Sequence, residues 1–157
     1  DRTGTGERSR MRRVDWVATL SRVFCGIVFI IHGYPKIMNL SATTEAFSGM
    51  GFPGWMAVPV AIFEFFGGIV LVAGFLTRIL AALFIVEMVV AGIKVHLPHG
   101  FDVYHFGDPM ARGYEYVLAL VVLLIVVILL GPGPLSVDGK LRGRTDFPDL
   151  EPGEPVA

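Results

Sequence analysis

The chain has 157 residues, 54% hydrophobic and 17% charged, with a formal net charge of −1 and a mean hydropathy of +0.65. That is too apolar for a soluble domain of this length, because too few polar residues remain to coat a soluble fold. Cys25 is the single cysteine. This excludes an internal disulfide and dithiol chemistry of the CxxC kind within one subunit, and leaves Cys25 as a small packing residue.

Residues 1–14 read as a disordered, basic tail carrying Arg2, Arg8, Arg10, Arg12 and Arg13. No signal-peptide pattern is present: a basic flank precedes the first apolar stretch, but no small-residue cleavage site follows it. The chain opens on Asp1, and Met11 is an alternative start. The tail is short and reads as a topology determinant and a contact for anionic lipid, not as a nucleic-acid surface.

Four stretches then have the length and composition of membrane helices, which need about 20 apolar residues each. Backbone groups in lipid must be paired internally, so each is expected to be helical. The first, residues 16–37, carries Arg22 and ends His32-Gly33-Tyr34-Pro35-Lys36. A loop over 38–54 follows. The second, 55–76, carries Glu64, and a short turn with Arg78 leads into the third, 79–97, with Glu87 and Lys94. A second loop, 98–112, precedes the fourth span, 113–130, which opens on Glu115-Tyr116. Gly131-Pro132-Gly133-Pro134 stops that helix, and residues 142–157 read as a disordered tail. The expected fold is therefore an all-α, integral membrane four-helix bundle formed by residues 15–141.

Basic residues crowd one side. The N-terminal tail, Arg78, Lys140, Arg142 and Arg144 fall together, while only Lys36, Lys94 and Arg112 lie near the other boundary. The positive-inside rule then puts both termini in the cytoplasm and both loops outside.

A charge in the hydrocarbon costs at least about 2.5–3.5 kcal/mol, so intramembrane ionisable residues mark assembly or chemistry. At 1.5 Å of rise per residue, Arg22 lies roughly 9 Å from the cytoplasmic boundary, Glu87 about 12 Å from it and Glu64 about 13 Å from the outer one. Arg22 is thus expected to form a buried charge pair with Glu64 or Glu87. Such a pair serves either as a register staple or as part of a site. Arg22, Gly26, Phe29 and Gly33 share a helical face, as do Glu64, Gly68 and Leu71, and as do Glu87, Ala91 and Lys94. A second polar layer, His32, Tyr34, Lys36, Lys94, His96 and Glu115, falls within two turns of the outer boundary. Lys94 has the alternative of snorkelling, and Glu115 that of capping its helix.

The histidine-rich stretch around His96 and His99 does not make a metal site. Pro98 breaks the helix that would align the pair, and Asp102, His105 and Asp108 are ordinary loop residues. No metal is expected. Haem would need buried axial histidines on facing helices, and only His32 is clearly intramembrane.

Several motifs in order carry a family likeness: Arg22 with His32-Gly33-Tyr34-Pro35-Lys36, then Glu64-Phe65-Phe66-Gly67-Gly68, Gly74-Phe75-Leu76-Thr77-Arg78, Glu115-Tyr116, and Gly131 through Asp138. Over residues 16–141 the chain resembles the DoxX family of small four-helix membrane proteins. The resemblance implies a multi-pass protein of the inner (plasma) membrane. It also implies an accessory role in a membrane redox system, quinone-linked or thiol- and sulfur-linked, since members resemble the membrane subunit of a thiosulfate:quinone oxidoreductase. Arg22, His32, Lys36, Glu64 and Glu115 carry over from the family pattern.

The chain has no flavin, haem or iron–sulfur ligand set, so electrons would come from a partner enzyme. A quinone is the cofactor such a bundle would take, between helices. The candidate ligand-binding residues are Arg22, His32, Tyr34, Lys36, Glu64 and Glu115, and no catalytic residue is assigned. Two alternatives stand beside this: a non-catalytic anchor for a partner enzyme, and a small transporter. The expected partners are the lipid bilayer and either a redox enzyme or further copies of the chain.

Overall fold

A computed structural model describes residues 3–101 and 113–141, with side chains from Arg13 onward. Helix α1 runs Thr3–Met38, 36 residues. The stretch expected as a disordered tail is therefore helical from Thr3. Its Glu, Arg and Met residues are good helix formers and simply extend the apolar segment Arg13–Met38. The second tail, 142–157, lies outside the described residues, as does most of the 98–112 loop.

The loop expected over 38–54 also contains a helix, α2 (Leu40–Gly49). The Thr43 hydroxyl lies against the carbonyls of Asn39 and Lys36, at 2.8 and 3.1 Å, and ties α2 to the end of α1. The next apolar rod is continuous but irregular. A 3₁₀ turn Gly54–Met56 leads into α3 (Ala57–Ile62), a π-helical turn Phe63–Gly67, and α4 (Gly68–Ala73). Helix α5 (Thr77–Ala91) continues through a second π turn, Gly92–His96, and a 3₁₀ turn, Leu97–His99. Helices α6 (Glu115–Leu130) and α7 (Val137–Leu141) complete the chain.

Among the described residues, three segments are long and apolar enough to cross a membrane: Arg13–Met38, Gly54–Ala73 and Thr77–His99. Helix α6 is apolar but only 16 residues long, about 24 Å by its rise. All described regular structure is helical.

Helix α1 is the spine, packing against α3, the first π turn and α4 on one side and α6 on the other; α5 packs along α6. Glycine permits the closest contacts. A Cβ on Gly26 would sit 2.8 Å from the Gly68 carbonyl oxygen, a Cβ on Gly68 the same distance from that of Gly26, and one on Gly33 only 2.5 Å from the Phe65 nitrogen. Without apolar driving force between helices in lipid, such close backbone approach is what holds them. The core is Cys25, Phe29, Leu71, Ala81, Phe84, Leu120, Leu124 and Val127. The outside is apolar too: Leu20 is 65% exposed, Ile31 63%, Val86 61% and Leu129 72%. A surface that apolar belongs in lipid.

Candidate functional site: a polar layer above an aromatic plug

The interior is stacked in three layers, with Arg22, Phe29 and Lys36 spaced seven residues apart on α1, or about 10 Å per step.

The first layer is built around Arg22, which is fully buried. It meets neither Glu64 nor Glu87. Its guanidinium donates instead to four carbonyls: Pro132 and Leu71, both at 2.8 Å, Leu135 at 2.5 Å, and Val72. Leu71 and Val72 lie in the last turn of α4, where the helix dipole favours a cation. Pro132 and Leu135 lie in the segment that leaves α6. Arg22 thus sits level with the ends of two helices, at the rim of the bundle. Lys36 and Glu64 lie about 21 Å further along, by fourteen residues of rise.

The same rim holds the other glycine-rich motifs. Gly74 (φ 74°) ends α4, and a Cβ there would lie 2.5 Å from Ser136 Cβ and 2.9 Å from an Arg22 nitrogen. A Cβ on Gly133 (φ 74°) would lie 2.2 Å from Thr19 Oγ1. The Asp138 carboxylate accepts from the Leu76 and Thr77 N–H groups at 3.0 and 2.8 Å and caps α5. It also steadies Leu76, the one described non-glycine residue with positive φ (50°). The four bonds Arg22 makes all go to backbone carbonyls, so in this structure it ties segments together at the rim.

The second layer is aromatic. Phe29 stacks on Phe84 with ring centroids 3.7 Å apart, and Phe63 lies 4.4 Å from Phe84 on the other side. Phe84 is fully buried and Phe29 nearly so.

The third layer carries the charges. Lys36 bonds both carboxylate oxygens of Glu64, and the lysine side chain is 29% exposed against 4% for the glutamate. Glu64 lies in the first π turn, a rare irregularity that often occurs at functional sites. The Glu87 carboxyl sits beside Glu64 and Lys36. Both of its oxygens are buried, and neither receives a hydrogen bond. The expected Arg22 pairing is thus replaced by a cluster of Lys36, Glu64 and Glu87.

The remaining candidates lie on α1 and at the start of α6. His32 faces Tyr116 across 6.0 Å, and Tyr34, half-exposed, lies 6.1 Å from Phe65. Glu115 opens α6 and is half-buried. Lys94 does not share the face of Glu87. The π turn at 92–96 adds a residue to its helical turn and swings Lys94 to an exposed position, so Lys94 belongs with the snorkelling alternative. A cleft of about 210 Å³ opens between α5 and α6, lined by Met88, Gly92, Val117, Val121 and other apolar residues, and none of the candidates lines it. His105, Asp102 and Asp108 lie outside the described residues.

The DoxX family profile matches residues 17–97, which hold Arg22, the aromatic stack and the Lys36–Glu64–Glu87 cluster. The chain belongs to the DoxX family. Among its DoxX relatives, the inner membrane protein YqjF of Escherichia coli (strain K12) is 29% identical over 140 residues, covering 85% of this chain and 99% of YqjF. The inner membrane protein YphA of the same organism is 29% identical over 126 residues, 77% of this chain and 87% of YphA. CatD of Bacillus subtilis (strain 168), provisionally named an oxidoreductase, is 37% identical over 82 residues, 52% of this chain but only 61% of CatD. No solved structure matches the chain. With the profile and these relatives, the apolar exterior identifies a membrane protein. The DoxX motifs that carried the resemblance divide between the two ends of the bundle: the glycine-rich ones build the rim with Arg22, and the charged ones build the third layer.

Proposed function

We propose that this DoxX protein crosses the inner (plasma) membrane four times with both termini in the cytoplasm, and serves as an accessory subunit of a membrane redox system. In this reading α6 is the fourth span, and the Lys36 end faces outward. The observation that carries it is the third layer, a Lys36–Glu64 pair held in a π turn with Glu87 unbonded beside it. Lys36 and Glu64 join α1 to the π turn, but the Glu87 carboxyl beside them receives no hydrogen bond, and ionisable groups held in lipid at such a cost mark a site. His32 and Lys36 supply donors suited to the carbonyl oxygens of a quinone head, and the electrons come from a partner enzyme or a partner copy. The provisional name of CatD supports the redox class.

Native mass spectrometry of the protein purified in mild detergent, with lipid extraction of the same sample, tests this. A quinone that co-purifies, and is lost in Glu64→Gln or His32→Ala, bears it out. A protein free of quinone, whose stability ignores added quinone, overturns it.

A non-catalytic anchor for a partner enzyme is the second reading. The Arg22 rim favours it, since the most deeply buried charge among the described residues spends its bonds on backbone carbonyls.

A further inference from the structure

The third layer contains two carboxyl groups and one ammonium. Lys36 satisfies Glu64 through both carboxylate oxygens. Glu87 faces the pair from α5 with both oxygens shut away from water and no donor turned toward them. With Lys36 bound to Glu64, a second buried carboxylate that receives no hydrogen bond of its own is costly in an apolar interior. A proton removes the difficulty. It makes the layer electrically neutral, and it turns Glu87 into a donor facing the Glu64 carboxylate, which has lone pairs left after binding Lys36. The charged and titratable groups facing Glu87 are Glu64 from the π turn and Lys36 from α1. On α6, Tyr116 is turned toward His32.

Access to this proton is one-sided. Lys36 is 29% exposed and forms the mouth of the layer, with Glu64 almost completely buried behind it. Below it, toward Arg22, the Phe29–Phe84–Phe63 stack closes the interior with ring centroids 3.7 and 4.4 Å apart. Packing that tight leaves no row of waters to pass a proton on.

We propose that Glu87 and Glu64 form a proton-binding site that fills and empties only through the Lys36 mouth, with the aromatic stack as its floor. Uptake takes a proton from water at the mouth, forms the Glu87 O–H bond and leaves the Glu64–Lys36 pair intact; release reverses it. This stands independently of whether a quinone binds. It makes the layer a proton store rather than a path across the membrane.

Infrared difference spectroscopy of the full chain in lipid, between acid and alkaline buffer, tests the site. The carbonyl stretch of a neutral carboxylic acid should appear, shift in D₂O, and vanish in Glu87→Gln while the helical amide bands stay unchanged. If Glu87→Gln does not fold, Glu64→Gln reports instead, and it should move the band because the acid loses its acceptor. A wild-type spectrum without such a band, or a band that survives both substitutions unmoved, overturns the site. Proton flux into vesicles holding the wild-type protein tests the floor. No flux above empty vesicles is expected, with leak appearing in Phe84→Ala, and a wild-type protein that conducts protons overturns the one-sided closure.

Discussion

Replacing Arg22 by Met should destabilise the bundle by about 2–4 kcal/mol. The guanidinium uses four of its five N–H groups on four carbonyls. The bond to the Leu71 carbonyl is fully buried, and a bond to a charged group is worth about 1.5–3 kcal/mol there. The bonds to Pro132, Val72 and Leu135 are part-buried, so water recovers some of their value, and roughly 0.5–1 kcal/mol each is a fair allowance. Against this loss, Met is spared the desolvation of a buried cation, which costs several kcal/mol. The net remains unfavourable because the Pro132, Val72 and Leu135 carbonyls lose this donor, while that of Leu71 keeps the Gly74 N–H. Arg22→Lys should fall between the two, since a point-charge ammonium with three donors cannot span four carbonyls on three segments. Unfolding by SDS titration in mixed micelles, followed by far-ultraviolet circular dichroism, reads the difference. Arg22→Met matching the wild type within about 0.5 kcal/mol, the range of inert substitutions, would refute the claim that Arg22 joins α1 to the ends of α4 and α6.

Gly68→Ala drives a methyl to 2.8 Å from the Gly26 carbonyl oxygen and 3.0 Å from the Ile30 nitrogen. Neither backbone atom can yield, so a loss of roughly 1–3 kcal/mol is expected in the same titration. Asp138→Ala removes the acceptor for the Leu76 and Thr77 N–H groups and should cost about 1 kcal/mol, with Asp138→Asn recovering part of it. In the third layer, Lys36→Met should destabilise more than Glu64→Gln, because it strands the more deeply buried charge of the pair. The double substitution Lys36→Met with Glu64→Leu should be milder than Lys36→Met alone, and a double-mutant cycle by thermal unfolding checks this.

Much of this architecture is legible in the sequence. Apolar runs interrupted by one or two charges each give the spans, and 3.6-residue spacing correctly places Arg22, Gly26, Phe29 and Gly33 on one inward face. Pairing is harder to read. Charge complementarity favours Arg22 with a carboxylate, but the partners it finds are backbone carbonyls at helix ends, and those carry no mark in the side-chain sequence. The Gly-Pro segment after residue 130 was a clue, since a chain turning back over the bundle end exposes such carbonyls. The π turns are equally silent. One of them re-aims Lys94, so an argument from ideal helical phase fails a single turn beyond Glu87. Lys36 and Glu64 both belong to the outer half, but the rise alone sets them more than about 10 Å apart in depth, so depth matching does not link them and the reach of the long lysine side chain is what closes the gap.

The account assigns structure to the Arg22 end and ligand chemistry to the Lys36 end. The most direct test is to titrate a short-chain quinone into wild type, Arg22→Met and Glu64→Gln, following the shift in unfolding temperature. Arg22→Met should start from a lower unfolding temperature yet keep the quinone-induced rise, and Glu64→Gln should stay folded and lose it. A rise that disappears in Arg22→Met and persists in Glu64→Gln would contradict the assignment.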